Sequence, residues 1–243
     1  MATLNTIVAH QLREFKKNVD KRIKDGAPVM QAILDETRET YRACSNVCFD
    51  GNGYSDEWKK EAKKRGLDCE ASAPKTYDAF TKKESIEVFE EAEVLSKVEL
   101  EARNDVLWEM YSKKVEIEAR TLCDMAVNHI LPVAMEYKSK LLSNVCKAKE
   151  IYGDEYKEIA GYELSQIKEI SAHVTKAMEI CKSVESQCDK LLKTDDMRKQ
   201  AIGYHDGVVP GMEDARVHLD ALEMIIDDQI WPMPKYRELL FIS

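Results

Sequence analysis

Glycine and proline are scarce, with nine and six residues in a chain of 243. Few turns can be built from so little turn chemistry. Aromatic residues are also sparse at 7%, while charged residues reach 33%. A chain poor in breakers and rich in helix formers is expected to be mainly α-helical. Basic excess is absent too: the net charge is −9 and the pI near 5.2. That argues against a nucleic-acid partner, which needs a basic face, and against docking on anionic lipid. No apolar run approaches the roughly 18–20 residues that span a bilayer. The opening "MATLNTIVAHQLREF" spaces Ile7, Val8, Leu12 and Phe15 helically and lacks the basic-then-apolar order of a secretory signal. No CxxC occurs, and the seven cysteines are odd in number, at 44, 48, 69, 123, 146, 181 and 188. A disulfide framework is therefore not expected, and the expected location is a reducing intracellular compartment, the cytoplasm or an organelle such as a plastid. Cys181 and Cys188, on one helix, would stand about 10.5 Å apart in rise, too far for a bridge.

What is present is helical pattern. Residues 3–24 and 28–43 read as two helices separated by "DGAP", with Pro28 suited to a first turn. Val47, Cys48 and Phe49 are expected to form at most one short strand. Ser55 is a good N-cap for a helix with Asp56 and Glu57 in its first turn and Gly66 just beyond its basic end. Residues 67–95 read as irregular or short helices. Ser96 and Glu99 have capping-box spacing and open a long helix to about Glu150, in which Pro132 is expected to give a kink. Leu122, Met125, Ala126, His129, Ile130 and Val133 share one face.

After a turn at "YGDE", the apolar residues Ile167, Ile170, Val174, Ala177, Cys181, Val184, Cys188 and Leu191 recur in strict 3-4 steps. This is an a/d seam on a helix of about 40 residues, expected to lie antiparallel against the preceding long helix. "GYHDGVVPG" reads as a break with a loop at 204–207. A third long helix follows, with Ala215, His218, Leu219, Leu222, Ile225 and Ile226 as its stripe. The closing "WPMPKYRELLFIS" is too apolar for a loose tail and is expected to dock. The expected architecture is an elongated helical bundle with a long antiparallel hairpin, organised as 1–80 and 81–243.

Chemical motifs fail one by one. "FDGNGYSDEW" lacks the lysine of a P-loop and the third glycine of a dinucleotide turn. As a calcium loop begun at Asp50, with Asn52 at its third position and Glu61 at its twelfth, it has Tyr54 at its fifth position and Ser55 in place of the glycine at its sixth. It reads as a glycine turn feeding a Ser N-cap. The histidines at 10, 129, 173, 205 and 218 form no HExxH and no close pair with Cys. His129 and His218 read as partly buried helix residues, and the seam cysteines as small hydrophobes. No catalytic, cofactor-binding or metal-ligating residue is assigned. The candidate interaction residues are Ile167, Ile170, Val174, Cys181, Val184, Leu191, Trp231, Tyr236 and Phe241.

Four blocks in order, "LNTIVA" (Leu4–Ala9), "FDGNGYSDEWKKEAKKRGL" (Phe49–Leu67), "LCDMAVNHILPVAMEY" (Leu122–Tyr137) and "DALEMIIDDQIWPMPKYRELLF" (Asp220–Phe241), resemble the C-terminal end of type III glutamine synthetase. The resemblance covers almost the whole chain. It implies kinship with an enzyme that joins ammonia to glutamate using ATP and a divalent metal, Mg or Mn, and that assembles as stacked hexameric rings. It also implies that the ATP, metal and glutamate groups lie on a β-rich barrel upstream of the resembling region. No catalytic residue transfers, and no cofactor is expected in this chain. "YRACSNVCF" departs from the basic and aliphatic residues that precede the glycine motif in the family, which implies that the strand there no longer pairs with a barrel. The resemblance implies a non-catalytic helical region acting in assembly with protein partners, other subunits of a larger complex. The alternative is a helical scaffold or linker recruited into an unrelated complex.

Overall fold

The structure, a computed structural model, describes residues 2–240. In chain order the helices are α1 (Ala2–Lys24), α2 (Val29–Ala43), α3 (Asp56–Lys64), α4 (Ala73–Thr76), α5 (Lys83–Glu91), α6 (Lys97–Met125), α7 (Leu131–Tyr152), α8 (Tyr156–Ile159), α9 (Gly161–Leu191), α10 (Met197–Gly203), α11 (Val209–Ile225) and α12 (Tyr236–Leu239). Among the described residues there is no strand, and the fold is mainly α. Contacts divide the chain into two compact units, 1–107 and 108–243, the division falling inside α6.

In the first unit α1 ends because Gly26 takes a positive φ of 97°, from which Gly26 N donates to Ile23 O and Ala27 N to Arg22 O. Only a residue without Cβ does this cheaply. The chain returns as α2, and Val19 and Ala32 are buried. Beside them sits a buried carboxylate, Glu36, which accepts from Asn18 at 2.9 Å and from Arg22 Nε and Nη2 at 3.1 and 3.0 Å. Arg22 also donates to Glu39 at 2.7 Å. A carboxylate out of water needs this many donors, and these bonds raise the guanidinium's own pKa.

The short strand expected at 47–49 is not formed. Residues 45–47 make a 3-10 turn in which Val47 N donates to Cys44 O and Cys48 N to Ser45 O. Their backbone groups are satisfied locally, and no neighbouring strand offers a ladder. The capping expectations hold. Ser55 Oγ accepts from Trp58 N at 3.2 Å. Ser96 and Glu99 make their reciprocal bonds at 2.8 and 3.4 Å.

The second unit is built on three antiparallel stretches of helix. Cys123 lies beside Cys181, and Arg120 bonds Asp189 at 3.0 Å, so α6 and α9 run in opposite directions. His173 meets His218, and Val184 meets Gly211, so α11 runs opposite to α9. The seam of α9 forms much of the core: Ile170, Ala177, Cys181, Val184 and Cys188 are buried, and Ile167, Val174 and Leu191 pack against them. Helix α9 is shorter than the 40 residues expected. Gly153, at φ 57°, ends α7, and a 3-10 turn and α8 take up the residues before Gly161.

Two departures share one cause. The long helix meets Pro132 through a π-helical turn, Ala126–Ile130. The region read as a break at 203–211 is continuous helix, with a second π-helical turn at Tyr204–Val208 followed by Pro210. A proline inside a helix has no N–H for the carbonyl four residues back, and its ring presses on that carbonyl. Widening the preceding turn by one residue relieves both, and tertiary packing supplies the stability that three glycines withhold. The wider turn also changes the spacing of side chains within it, and His129 there is exposed instead of sharing the buried face.

Candidate functional site

The stretch 49–65 is a fixed turn whose parts answer one another. Asn52 Oδ1 accepts from Tyr54 N at 3.0 Å. Phe49 stacks on Trp58 with centroids 4.2 Å apart. Arg65 lies over the same indole at 5.5 Å and donates to Cys48 O at 2.8 Å and to Glu61 at 3.0 Å. The basic end of α3 thus clamps the turn that opens it, in agreement with the reading as a turn feeding a Ser N-cap.

The interaction residues proposed from the sequence fall in different places. Ile170, Cys181 and Val184 are enclosed in the second unit's core, with Ile167, Val174 and Leu191 half-buried at its edge. Trp231 packs on the same core, and its Nε1 is buried without a partner. Tyr236 opens α12, while Phe241 lies outside the described residues.

Two of the three buried thiols, Cys123 and Cys188, are held protonated by their environment, whereas the hydrogen bond with Cys123 lowers the pKa of the Cys181 thiol against the opposing effect of burial. The Cys181 side chain beside Cys123, together with burial, pushes the Cys123 thiol's pKa well up. Burial raises that of Cys188. A nucleophilic cysteine needs the opposite surroundings. Cys44, Cys48, Cys69 and Cys146 are exposed.

The fold also makes one pair that sequence spacing does not announce. His173 of α9 and His218 of α11 bring their Nδ1 atoms to 2.9 Å, both rings half-buried. They are 45 positions apart, and only the antiparallel register of two helices joins them. His205 meets its neighbour Asp206 at 2.7 Å, on a π-turn instead of the loop expected at 204–207. Among the described residues no group of three or more His, Cys, Asp and Glu stands together as a metal site. No helix among them is long and apolar enough to cross a membrane.

The most conspicuous surface lies in the first unit. Helix α1 exposes Leu4, Ile7, Val8 and Leu12, at 61, 52, 49 and 63%. Positions 4, 8 and 12 recur every four residues and so form one stripe. Helix α2 exposes Val29, Met30, Leu34 and Tyr41. Beside α1 opens an apolar recess of about 520 Å³ lined by Ile7, Tyr77, Phe80, Val88 and Phe89. The 3.6 period of α1 was legible, but its lack of a cover was not.

Known proteins share this sequence along nearly all of the chain. Residues 32–149 match the family model described as glutamine synthetase C-terminal domain. The chain is 38% identical over 242 residues to a glutamine synthetase of Bacteroides fragilis, covering 99% of this chain and 33% of that protein. It is 30% identical over 240 residues to a type-3 glutamine synthetase of Dictyostelium discoideum, covering 98% of this chain and 32% of that protein. A glutamine synthetase of Butyrivibrio fibrisolvens is 28% identical over 220 residues. The chain spans about a third of the length of the curated relatives it matches. Motif blocks, family model and relatives agree: this chain is a relative of the C-terminal region of type III glutamine synthetase.

Proposed function

We propose that this chain is a helical interaction module without chemistry of its own, acting in the assembly of a glutamine synthetase of the type III kind. The observation that carries the reading is the uncovered apolar stripe of α1, continued by the exposed apolar residues of α2, in a chain matching a third of its relatives. Burying apolar surface contributes roughly 25 cal/mol per Å², so such stripes favour a protein cover. The occupant proposed is the catalytic portion of the synthetase, the part of the relatives that this chain does not match. The half-buried edge of Ile167, Val174 and Leu191, with Trp231, is proposed as a second contact.

The test is association. The Bacteroides fragilis relative, trimmed of the region this chain matches, is mixed with the chain and followed by size-exclusion chromatography with light scattering. A complex is expected. Leu12→Glu and Met30→Glu, at exposed positions that leave the fold intact, should weaken it at least tenfold. Absence of a complex, or a complex indifferent to both substitutions, contradicts the proposal.

A further inference from the structure

The geometry points to a transition-metal site formed between α9 and α11 by His173 and His218, taking a Zn²⁺-class cation with water at the remaining positions. Two imidazole Nδ1 atoms 2.9 Å apart can coexist only if one carries a proton and the other offers its lone pair. The ring centroids are 5.2 Å apart and the planes inclined at 53°. With Zn–N near 2.0–2.1 Å, two imidazoles at tetrahedral positions place their nitrogens about 3.3 Å apart and their ring centres about 5.2 Å apart. A straight hydrogen bond between the two rings gives the same centre spacing, so the ring centres can stay where they are while the nitrogens turn toward an ion.

Entry of the cation asks for each ring to turn by about 35° about its own centre, opening the nitrogens by about 0.4 Å while α9 and α11 keep their separation. The proton balance is simple. The donor imidazole shifts its proton from Nδ1 to Nε2, both Nδ1 lone pairs then face the ion, and no proton is released from a neutral pair. Both rings are half-buried, so they are held by packing yet open on one side to water. Among the described residues no third His, Cys, Asp or Glu joins them, so two coordination positions are left to solvent or to a group from a partner. Imidazole nitrogen suits Zn, Cu, Ni and Co and is a poor donor for Mg or Ca. This site shares no residue with α1 or α2, so its test does not depend on the proposed docking.

Co²⁺ is the probe, added to the reduced full chain at neutral pH, with visible absorption as the readout. The expected result is one saturable Co²⁺ per chain with the visible bands of a tetrahedral centre and no sulfur-to-cobalt charge-transfer band. Zn²⁺ should displace it. His173→Gln and His218→Gln should each weaken binding at least tenfold, with far-UV circular dichroism unchanged. Either variant alone decides, should the other fail to fold. Lack of saturable binding, a thiolate charge-transfer band, or unchanged affinity in a folded variant overturns the assignment.

Discussion

Tyr204 carries a hydroxyl that finds no hydrogen-bond partner, although the residue is only 1% exposed. An orphaned buried hydroxyl costs about 1–3 kcal/mol, whereas an apolar group of the same shape costs nothing of that kind. Tyr204→Phe should therefore raise stability by about 1 kcal/mol, read from urea unfolding near pH 7. Burial, with Glu116 adding to it, pushes the phenol's pKa up to about 12. Because the folded pKa stands above the unfolded value, the native state's advantage is complete below about pH 10 and is lost as pH rises through about 12. The Phe variant should lack that part of the alkaline loss. A variant less stable than the parent, or with the same alkaline slope, would count against this account. At this scale the sequence is least transparent. His218 read correctly as a partly buried helix residue, but its meeting with His173 depends on a register between two helices. His129 lies at the surface within a π-turn, where the helical spacing read from the sequence no longer holds.

At the level of elements, the glycines at 203, 207 and 211 recur every four residues along α10, the π-turn and α11. They form a flat strip against α9. A Cβ added at Gly207 would stand 2.7 Å from Gln187 Oε1, and one at Gly211 would stand 2.7 Å from Val184 Cγ2. Val184 is buried and β-branched, so it cannot swing aside. Forcing extra carbon into such a contact costs about 1–3 kcal/mol. The helix-propensity gain on losing glycine is under about 1 kcal/mol, so overpacking wins. Gly211→Val should destabilise by about 1–2 kcal/mol, whereas Gly53→Ala, which has open space around it, should stay within about 0.5 kcal/mol. Urea midpoints of both variants check this, and a neutral Gly211→Val would refute the close approach. Here the sequence misleads for a physical reason. Three glycines and Pro210 in nine residues look like a breaker when judged by local propensity. Their spacing of four shows its purpose only once α9 is laid against them. The caps, by contrast, are local chemistry, and those at Ser55 and Ser96 were legible residue by residue. So was the α9 seam, because a strict 3-4 repeat has few solutions other than a bundle core.

For the whole molecule, legibility followed length of pattern. Mainly helical class and kinship with the type III glutamine synthetase C-terminal region came from signals spread along the chain. The exposed stripe of α1 was visible as periodicity, yet a periodic face looks the same whether its cover lies within the chain or outside it. That is why the seam of α9 drew attention as a contact surface while the structure encloses much of it in the second unit. The central claim is that the chain contributes surface and shape while the chemistry of its relatives belongs to the part it does not match. The most direct measurement is glutamine formation by the purified chain alone, given glutamate, ammonia, ATP and Mg²⁺ and followed by product chromatography. The account predicts no glutamine above the protein-free blank at any chain concentration. Glutamine that accumulates in proportion to the chain and requires ATP would contradict it.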